Sequence, residues 1–452
     1  MLLSKAAENM QGRAVGECCF DGFAIDSRHV KPGNMFVCIL GEHTDGHKYI
    51  KNAEENGASC LLCEHEVETD LPYIIVSSSV KGLQLLANSY RAALDVTVVA
   101  VTGSVGKTTT KECIYSVLKE KYKTHKTDGN KNSETGLPRT LLEISPDDEY
   151  AVVEMGMSAR GEIEVLSQTA QPDIAVITNI GHSHIEFLGT RENILQAKLE
   201  IITGLKKDGI LILNFDDEYL SRGYEEYLKD KITQRIIRYG IENINCDIYA
   251  QDIVMEDGYL RFFVHTPVGE TTVVMPCEGI HNVYNALAAV SVAVCAEVPF
   301  DLICKGLSSF KNAPMRQQSY EKNGFFIIED CYNASPASMK ASIDVLKNRK
   351  GKGRKIAVLG DMKELGEMSQ LLHEETGKML NGIDIFIAFG TYNDAYIKGA
   401  VFAGLPSSSC FSCENAEQAG IMLKKIATEG DCILVKSSRS MGGENVLKTF
   451  FD

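Results

Sequence analysis

The chain has 452 residues but no run of about 18 consecutive apolar residues, the length that a membrane-spanning helix requires. Its first residues also lack the cationic start, apolar stretch and small-residue cleavage site of a secretory signal. Basic residues are in deficit, since 46 Lys and Arg stand against 61 Asp and Glu and give a net charge of −15. This charge argues against nucleic acid or an anionic membrane as the main partner. We therefore expect a cytoplasmic protein without a membrane span.

Low-complexity segments and internal repeats are absent too, and the 14 cysteines do not form a disulfide pattern. Most of them lie in apolar runs and are expected to be reduced core residues. The pairs Cys60/Cys63 and Cys410/Cys413 have the spacing of zinc half-sites. The first pair lies in a predicted strand, where residues three apart face opposite sides of the sheet, so zinc is not expected there.

The most informative stretch covers residues 96–113, where an apolar β-branched run stops at Gly103 and helix-forming residues begin near Lys107. Strand, glycine turn and helix are the context of a phosphate-binding loop, whose backbone N–H groups and helix N-terminus hold a polyphosphate. Lys107 would reach the β- and γ-phosphates, and the Thr108 hydroxyl would bind Mg²⁺. The motif is a shortened Gly-x-x-Gly-Lys-Thr, because position 101 is Val. A chance turn is the alternative.

The rest of the chain alternates between strand and helix signals, including strands over 325–330, 355–360 and 432–436 and a helix over 191–205. This alternation predicts an α/β fold with mostly parallel sheets. We expect three domains: a small α/β domain over 1–95, a central domain over 96–313 that carries the phosphate loop, and a second α/β domain over 314–452. In the first domain, polar clusters at 26–28 and 44–47 lie beside strands and would either grip a polar ligand or form hydrophilic turns.

Two polar residues of the central domain follow predicted strands. Glu154 ends the strand 150–154, and His184 lies just beyond the strand 173–178, at the sheet edge where ligands bind in such folds. A carboxylate, an imidazole and a nearby lysine, Lys198, would suit more than one divalent cation around a γ-phosphate. The alternatives are a loop histidine with ordinary partners and, for Lys198, a solvated helix face, which the spacing alone favours. Kinase, switch GTPase, ATPase and ligase remain open from these residues.

Several longer motifs resemble those of the Mur ligase family of ATP-dependent amide-forming enzymes, and together they cover essentially the whole chain. They lie at residues 25–28, 44–47, 102–112, 154–163, 178–186, 196–200, 279–287, 330–339, 358–367 and 434–439. The most specific is Leu359-Gly-Asp-Met-Lys-Glu-Leu-Gly-Glu367. It is similar to the string in the family member that adds D-alanyl-D-alanine to UDP-N-acetylmuramoyl-tripeptide.

The resemblance implies a UDP-binding N-terminal domain, a central mononucleotide-binding domain and a Rossmann-like C-terminal domain, with ATP and two Mg²⁺ ions. The implied catalytic residues are Lys107, Glu154, His184 and Lys198, and the implied metal ligands are Thr108, Glu154, His184 and Lys198, the lysine being carbamylated. The implied nucleotide contacts are Gly103, Ser104, Val105, Gly106, Lys107, Thr108, Thr109, Asn282, Arg316, Asp330, Tyr332 and Asn333. The implied substrate contacts are Ser27, Arg28, Thr44, Asp45, Gly46, His47, Asn132, Ser133, Lys436, Ser438 and Arg439.

Three positions depart from the family pattern: Ser133 and Ser335 stand where Asn is usual, and Ser437 stands where Gly is usual. The implied reaction passes through an acyl phosphate, and we expect a monomer that acts on the two peptide substrates named above. The third residue of the tripeptide, lysine or diaminopimelate, is not indicated. The competing interpretations are a folyl-polyglutamate synthase, the diamino-acid-adding ligase, a P-loop kinase or switch GTPase, and a nucleotide-gated binding protein without turnover.

Overall fold

The computed structural model describes residues 1–41, 44–256, 258–351 and 353–452, which form three β-sheets covered by helices. Five strands form the first sheet, nine the second and six the third. The predicted α/β class with three domains is confirmed. Within the described ranges, no helix is both long enough and apolar enough to cross a membrane.

The N-terminal sheet is small and mostly parallel. Its order is β1-β5-β4-β3-β2, and β1 is the antiparallel edge strand. Apolar clusters cover both faces of the sheet, one beneath α1 and one beside α2. The elements are α1 (Leu3–Asn9), β1 (Arg13–Val15), β2 (Phe23–Ala24), β3 (Met35–Val37), α2 (Ile50–Glu55), β4 (Cys60–Cys63), β5 (Tyr73–Ile75) and α3 (Ser79–Ala92).

The central sheet is built around its first strand. Its elements are β6 (Thr97–Thr102), α4 (Lys107–Leu118), β7 (Thr124–Lys126), α5 (Gly136–Leu142), β8 (Tyr150–Glu154), α6 (Glu162–Ala170), β9 (Ile174–Ile177), α7 (Ile185–Leu188), α8 (Arg191–Leu199), β10 (Ile210–Asn214), α9 (Glu218–Gly223), β11 (Arg235–Gly240), β12 (Ile248–Glu256), β13 (Tyr259–Thr266), β14 (Gly269–Met275), α10 (Ile280–Cys295) and α11 (Phe300–Ser308). The order is β14-β13-β12-β11-β10-β9-β6-β8-β7, antiparallel only from β12 to β14. Because β8 and β9 flank β6 on opposite sides, the loop after β6 lies at the switch point where such sheets bind ligands.

The C-terminal sheet has the order β15-β16-β20-β17-β18-β19 and is parallel except for the hairpin between β15 and β16. The elements are β15 (Gln318–Lys322), β16 (Phe325–Asp330), α12 (Pro336–Asn348), β17 (Lys355–Gly360), α13 (Ser369–Lys378), β18 (Ile385–Phe389), α14 (Asn393–Phe402), β19 (Cys410–Cys413), α15 (Ala416–Ile426), β20 (Cys432–Lys436) and α16 (Glu444–Phe451). Its central strands are buried on both faces, which explains their continuous apolar sequences.

Helix α3 joins the N-terminal and central domains. Leu86 packs into the N-terminal core, whereas the next residue, Ala87, packs into the core of the central domain. Near its end, the Arg91 guanidinium is buried and lies 2.9 Å from Asp173 Oδ2, at the start of the β9 segment. The helix therefore packs against the cores of both domains.

Helix α8 differs from its prediction in length and in exposure. A continuous helix was expected over 191–205, but the α-helix ends at Leu199 and a 3₁₀ turn covers Glu200–Thr203. Lys198 is only 1% exposed, so the solvated-face interpretation is wrong. The reason is the helix face on which Lys198 lies, since Leu195 and Ile194, three and four residues before it, are both fully buried.

Candidate functional site

The loop after β6 can form only with glycine at two positions. At Gly103 the backbone φ is +150°, and a Cβ atom would lie 1.9 Å from Thr178 Oγ1. At Gly106 φ is +87°, and a Cβ atom would lie 2.8 Å from Asn285 Oδ1. The resulting tight turn brings the N-terminus of α4 to the sheet edge at Lys107, as the sequence predicts for a phosphate-binding loop.

Two amides of this loop are already partnered, which differs from the expectation that the amides from Gly103 to Thr108 would face a phosphate. Ser104 N–H donates to Asn179 O at 3.0 Å, and Val105 N–H donates to Asn179 Oδ1 at 2.9 Å. Asn179 reaches them because it follows β9, the neighbour of β6. The amides at the α4 N-terminus remain for an anion.

The Lys107 ammonium folds back over the loop and donates to Gly103 O at 2.7 Å. Burial lowers the pKa of Lys107 from its ordinary value, although the neighbouring Glu154 charge opposes this shift. The loop carbonyls are neutral acceptors and only partly stabilise the buried ammonium. A bound polyphosphate would give it a negatively charged partner.

Beside the loop, two side chains donate hydrogen bonds to the buried Glu154 carboxylate. Thr108 Oγ1 donates to Glu154 Oε2 at 2.8 Å, and Asn132 Nδ2 donates to Glu154 Oε1 at 2.8 Å. A hydroxyl and a carboxylate next to a phosphate-binding helix N-terminus are the hard oxygen ligands that Mg²⁺ prefers. The donor set therefore fits a magnesium ion held between the protein and a phosphate.

Lys198 lies close enough to this cluster for the Lys107 charge to affect it. Burial, followed by the Lys107 charge, lowers the pKa of Lys198 well below its ordinary value. A neutral ε-amine is the form that reacts with carbon dioxide, so the chemistry of this position fits a carbamate. His184, the fourth residue of the predicted metal set, precedes α7 with a left-handed φ of +64°.

The C-terminal domain supplies the opposite wall. Asp330 and Lys436 end the adjacent strands β16 and β20, and the ammonium lies 2.5 Å from Asp330 Oδ2. Lys436 Nζ also donates to Asn333 O at 3.0 Å. The Arg316 guanidinium stacks over the Tyr332 ring, with its carbon 4.0 Å from the ring centroid.

Between the two walls lies a cavity of about 440 Å³, large enough for a nucleotide and part of a second ligand. Gly103 and Lys198 lie behind its wall, and Ser438 and Arg439 lie outside it, where Arg439 pairs with Glu444 at 2.8 Å. The predicted residues that line the cavity are Ser104, Val105, Gly106, Lys107, Thr108, Thr109, Asn132, Ser133, Glu154, His184, Asn282, Arg316, Asp330, Tyr332, Asn333 and Lys436.

The lining residues that were not predicted as site residues include His281, Asn285 and Gln317. Asn285 Nδ2 donates to Asn282 Oδ1 at 3.0 Å, and His281 Nε2 lies 2.7 Å from Gln317 Oε1. His281 Nδ1 and Gln317 Nε2 are buried without a hydrogen-bond partner among the described residues. Asn285 is detectable by its helical spacing from Asn282, whereas Gln317 lies in an irregular linker that carries no motif.

The N-terminal candidates form a separate group and do not line this cavity. They lie on two 3₁₀ turns, Ser27–His29 and Gly46–Tyr49, or just before the second, and both turns pack against α2. Each turn is capped by an aspartate, since Asp26 accepts from Arg28 N–H and Asp45 accepts from His47 N–H. The arrangement leaves the Arg28 guanidinium exposed at the protein surface. The group consists of Ser27, Arg28, Thr44, Asp45, Gly46 and His47.

A cluster of Cys38, His47 and Cys63 lies beneath the second turn, with the two sulfur atoms 3.9 Å apart. Both ring nitrogens of His47 are engaged, because Nδ1 lies 2.7 Å from Asp45 Oδ1 and Nε2 accepts from Glu64 N–H at 3.0 Å. No lone pair of the ring is directed at the sulfurs. Cys60 lies on the opposite face of the sheet from Cys63, as strand geometry requires.

Comparison with known families covers almost the whole chain. Residues 20–101 match the Mur ligase family catalytic domain, residues 101–293 match the Mur ligase middle domain, and residues 315–439 match the Mur ligase glutamate ligase domain. The chain is also 39% identical to the UDP-N-acetylmuramoyl-tripeptide--D-alanyl-D-alanine ligase of Bacillus subtilis, over 95% of this chain and 93% of that protein. The chain belongs to the Mur ligase family.

Solved structures agree with this Mur ligase assignment. A crystal structure of MurF from Acinetobacter baumannii superposes with a TM-score of 0.91 at 30% identity, covering 99% of this chain and 98% of that one. The MurF ligase of Thermotoga maritima, solved in complex with ADP, superposes with a TM-score of 0.83 at 34% identity over 95% of this Mur ligase and 96% of that chain. The predicted family and three-domain fold are confirmed.

Proposed function

We propose that this Mur ligase joins D-alanyl-D-alanine to UDP-N-acetylmuramoyl-tripeptide at the expense of ATP and forms the UDP-muramoyl-pentapeptide precursor of peptidoglycan. The observation that carries the proposal is the cavity between the phosphate loop at Lys107 and the Asp330–Lys436 pair. It places a polyphosphate site on the central domain opposite a polar wall on a second domain. The full-length similarity to ligases named for this reaction supports the choice of substrates.

ATP would occupy the cavity with its phosphates at the loop and its adenine on the α10 side. Lys107 and the first amides of α4 would hold the phosphates. Asn282 lies in a buried hydrogen-bond chain with Asn285, and the unpartnered Gln317 Nε2 nearby offers a donor to the base. Arg316, Asp330, Tyr332 and Asn333 would close over the nucleotide from the other domain.

Thr108 and Glu154 would hold one Mg²⁺, and His184 with a carbamylated Lys198 would hold a second. Carbamylation joins the neutral Lys198 nitrogen to the carbon of carbon dioxide and releases a proton, which replaces a cation by an anionic ligand. When bound, the metal ions neutralise charge on the phosphoryl oxygens. Burial of Lys198 supports the neutral amine that this step needs.

The proposed chemistry has two steps. A terminal carboxylate oxygen of the tripeptide attacks the γ-phosphorus of ATP, the bond to the β,γ-bridging oxygen breaks, and an acyl phosphate and ADP form. The dipeptide amine then attacks the acyl carbon, loses a proton and expels phosphate. Lys107 neutralises charge at the transferred group, and docking of the C-terminal wall excludes water from an intermediate that hydrolyses readily.

We propose a division of labour among domains covering 1–95, 96–313 and 314–452. The first would bind the UDP group through Ser27, Arg28, Thr44, Asp45, Gly46 and His47. Asn132 and Ser133 would face the tripeptide, while Lys436, Ser438 and Arg439 would serve the incoming dipeptide. We also propose that the protein acts as a monomer in the cytoplasm, where its nucleotide substrates occur.

The decisive experiment measures phosphate release from ATP with UDP-N-acetylmuramoyl-tripeptide present and D-alanyl-D-alanine added or omitted. Sustained release that requires both, with an amide product of the expected mass, supports the proposal. L-alanyl-L-alanine and single amino acids are matched acceptor controls. Release that requires a diamino acid together with UDP-N-acetylmuramoyl-L-alanyl-D-glutamate, and that does not occur with the tripeptide and D-alanyl-D-alanine, would assign the chain to the preceding ligation step. Repeating the assay with lysine-containing and diaminopimelate-containing tripeptides identifies the third residue.

A further inference from the structure

Two residues from different domains meet at the edge of the cavity. Glu364 lies in the loop between β17 and α13 of the C-terminal domain, and its Oε2 lies 2.6 Å from His184 Nδ1 of the central domain. The oxygen is off the line of the ring N–H bond, so the two groups are in close contact without full hydrogen-bond geometry. His184 lines the cavity and Glu364 is half-exposed.

Both residues have left-handed backbone conformations, which residues other than glycine seldom adopt. His184 has a φ of +64° and Glu364 a φ of +62°. For residues other than glycine such conformations cost free energy and persist only where surrounding contacts hold them. Because both residues of this interdomain contact have such conformations, we infer that the contact helps to hold the two loops in place.

The main chain holds the same two loops together. Glu186 N–H donates to Glu364 O at 3.3 Å. Gly366 approaches Glu186 so closely that a Cβ atom would lie 3.3 Å from Glu186 Cα, and its φ of +52° also favours glycine. The loop thus docks through its backbone, which leaves the Glu364 side chain free for His184.

The electrostatics of the contact extend to the phosphate loop. The contact with His184, and at longer range the Lys107 charge, lower the pKa of Glu364 from its ordinary value. Glu364 in turn is among the charges that act on Lys107. The Glu364 carboxylate of the C-terminal domain therefore lies close enough to the phosphate loop of the central domain to interact with it electrostatically.

We propose that Glu364 is a positioning residue that fixes the His184 ring by its Nδ1 and so presents Nε2 to the polyphosphate region when the C-terminal domain is docked. A carboxylate beside one ring nitrogen restricts the orientation of the ring and so the direction in which the other nitrogen points, as in carboxylate–histidine–metal arrangements. Domain docking and completion of the metal site then become one event. This inference rests on the proposed function only in taking His184 as a metal ligand.

The test uses Mn²⁺ as a paramagnetic probe, titrated into the full-length protein with ADP or a non-hydrolysable ATP analogue and followed by the EPR signal of free Mn²⁺. Glu364→Gln keeps the shape of the side chain but removes its charge, and we expect nucleotide-dependent Mn²⁺ binding to weaken about tenfold. Glu367→Gln is the matched control, since Glu367 is exposed on the same loop and pairs with no cation in the described part of the chain. We expect it to bind Mn²⁺ as the unsubstituted protein does.

A double-mutant cycle separates positioning from simple domain adhesion. If Glu364 acts through His184, Glu364→Gln adds little to the loss already caused by His184→Ala. Additive losses, or unchanged Mn²⁺ affinity in Glu364→Gln, would overturn the inference, and small-angle scattering would show whether only the docking had changed. Because the titration needs no peptide substrate, its result is independent of the ligase assay. Absence of nucleotide-dependent Mn²⁺ binding in the unsubstituted protein would overturn both proposals.

Discussion

Asp330 and Lys436 are direct neighbours across β16 and β20, with the ammonium 2.5 Å from Asp330 Oδ2, and both side chains are largely withdrawn from solvent. Ser342 Oγ donates to the same carboxylate oxygen at 2.6 Å. Burial by itself would raise the pKa of Asp330, but the Lys436 charge and these hydrogen bonds outweigh it and keep the pKa below its ordinary value. The pair thus holds a charged carboxylate on the cavity wall.

Substitution Lys436→Met should therefore destabilise the protein strongly at neutral pH. It leaves a buried carboxylate without its counter-ion, a change that typically costs about 3–5 kcal/mol. Urea denaturation of the full-length protein at pH 7 measures the loss. Lys340→Met is the control, because the Lys340–Asp344 pair lies exposed on the neighbouring helix α12 and should contribute little.

The same pair predicts a pH dependence whose sign follows from the lowered pKa of Asp330. A carboxyl group with a depressed pKa stabilises the fold above its unfolded value of about 3.9, and this stabilisation is lost as the pH falls through the folded value. In Lys436→Met the buried carboxyl group should prefer its protonated form. The stability difference between the two proteins should consequently shrink as the pH is lowered from 7 towards 4. A difference independent of pH would contradict the assignment of a charged pair.

Much of the fold could be predicted because its central strands are continuous apolar runs. The strands 150–154, 325–330, 355–360 and 432–436 were predicted with the bounds that the structure shows. Strand β15 was missed, since Gln318–Lys322 is a polar edge strand whose pairing depends on the β16 hairpin and not on its own sequence.

The part of the site that could be predicted is the part that lies at the carboxyl ends of parallel strands. Glu154 and the phosphate loop were placed at one sheet edge because parallel strands end there together. The roles of Asn179, Gln317 and Glu364 could not be predicted, because each depends on a loop from another strand or domain. Burial of Lys198 was also missed, because a charged residue in a helical pattern normally indicates an exposed face, although this lysine lies on a buried apolar face.

Gly103→Ala should abolish nucleotide binding by distorting the phosphate loop. The added Cβ would meet Thr178 Oγ1 at 1.9 Å, and the φ of +150° is strained for any other residue. Isothermal titration with ADP would measure the loss. Adding Thr178→Ala removes the contact with Oγ1, but Thr178 Cβ stays 3.0 Å away, the backbone strain remains and the hydrogen bond from Thr178 Oγ1 to Val105 O is lost. The double variant should therefore recover ADP binding only in part. Full recovery would show that the clash alone restricts this position.

Lys107→Met should lower kcat/KM for ATP by about 10²–10³, the effect of removing one group that stabilises developing charge. The fold should tolerate the change, because within the described part of the chain Lys107 Nζ donates only to Gly103 O and, at 3.5 Å, to Ser104 O. Initial rates of phosphate release, together with thermal denaturation, separate the two effects. Lys119→Met, at the other end of α4, is the control and should retain full activity. Equal rates for both variants would remove Lys107 from the catalytic set.

Lys198 should acquire a carbamate when the protein is equilibrated with ¹³C-bicarbonate near neutral pH. Burial lowers the pKa of Lys198, so the reactive neutral amine is present at a pH where exposed lysines are charged. A slow-exchanging ¹³C NMR signal should appear in the unsubstituted protein and be absent from Lys198→Arg, whose guanidinium does not form this adduct. Lys111 offers a stringent comparison, because it is equally buried but lies 3.0 Å from the Glu112 carboxylate, whereas Lys198 has no carboxylate partner among the ion pairs of the described residues. Lys111→Arg should therefore keep the signal. A signal that survives Lys198→Arg would place the carbamate on another lysine and leave the second metal region without its anionic ligand.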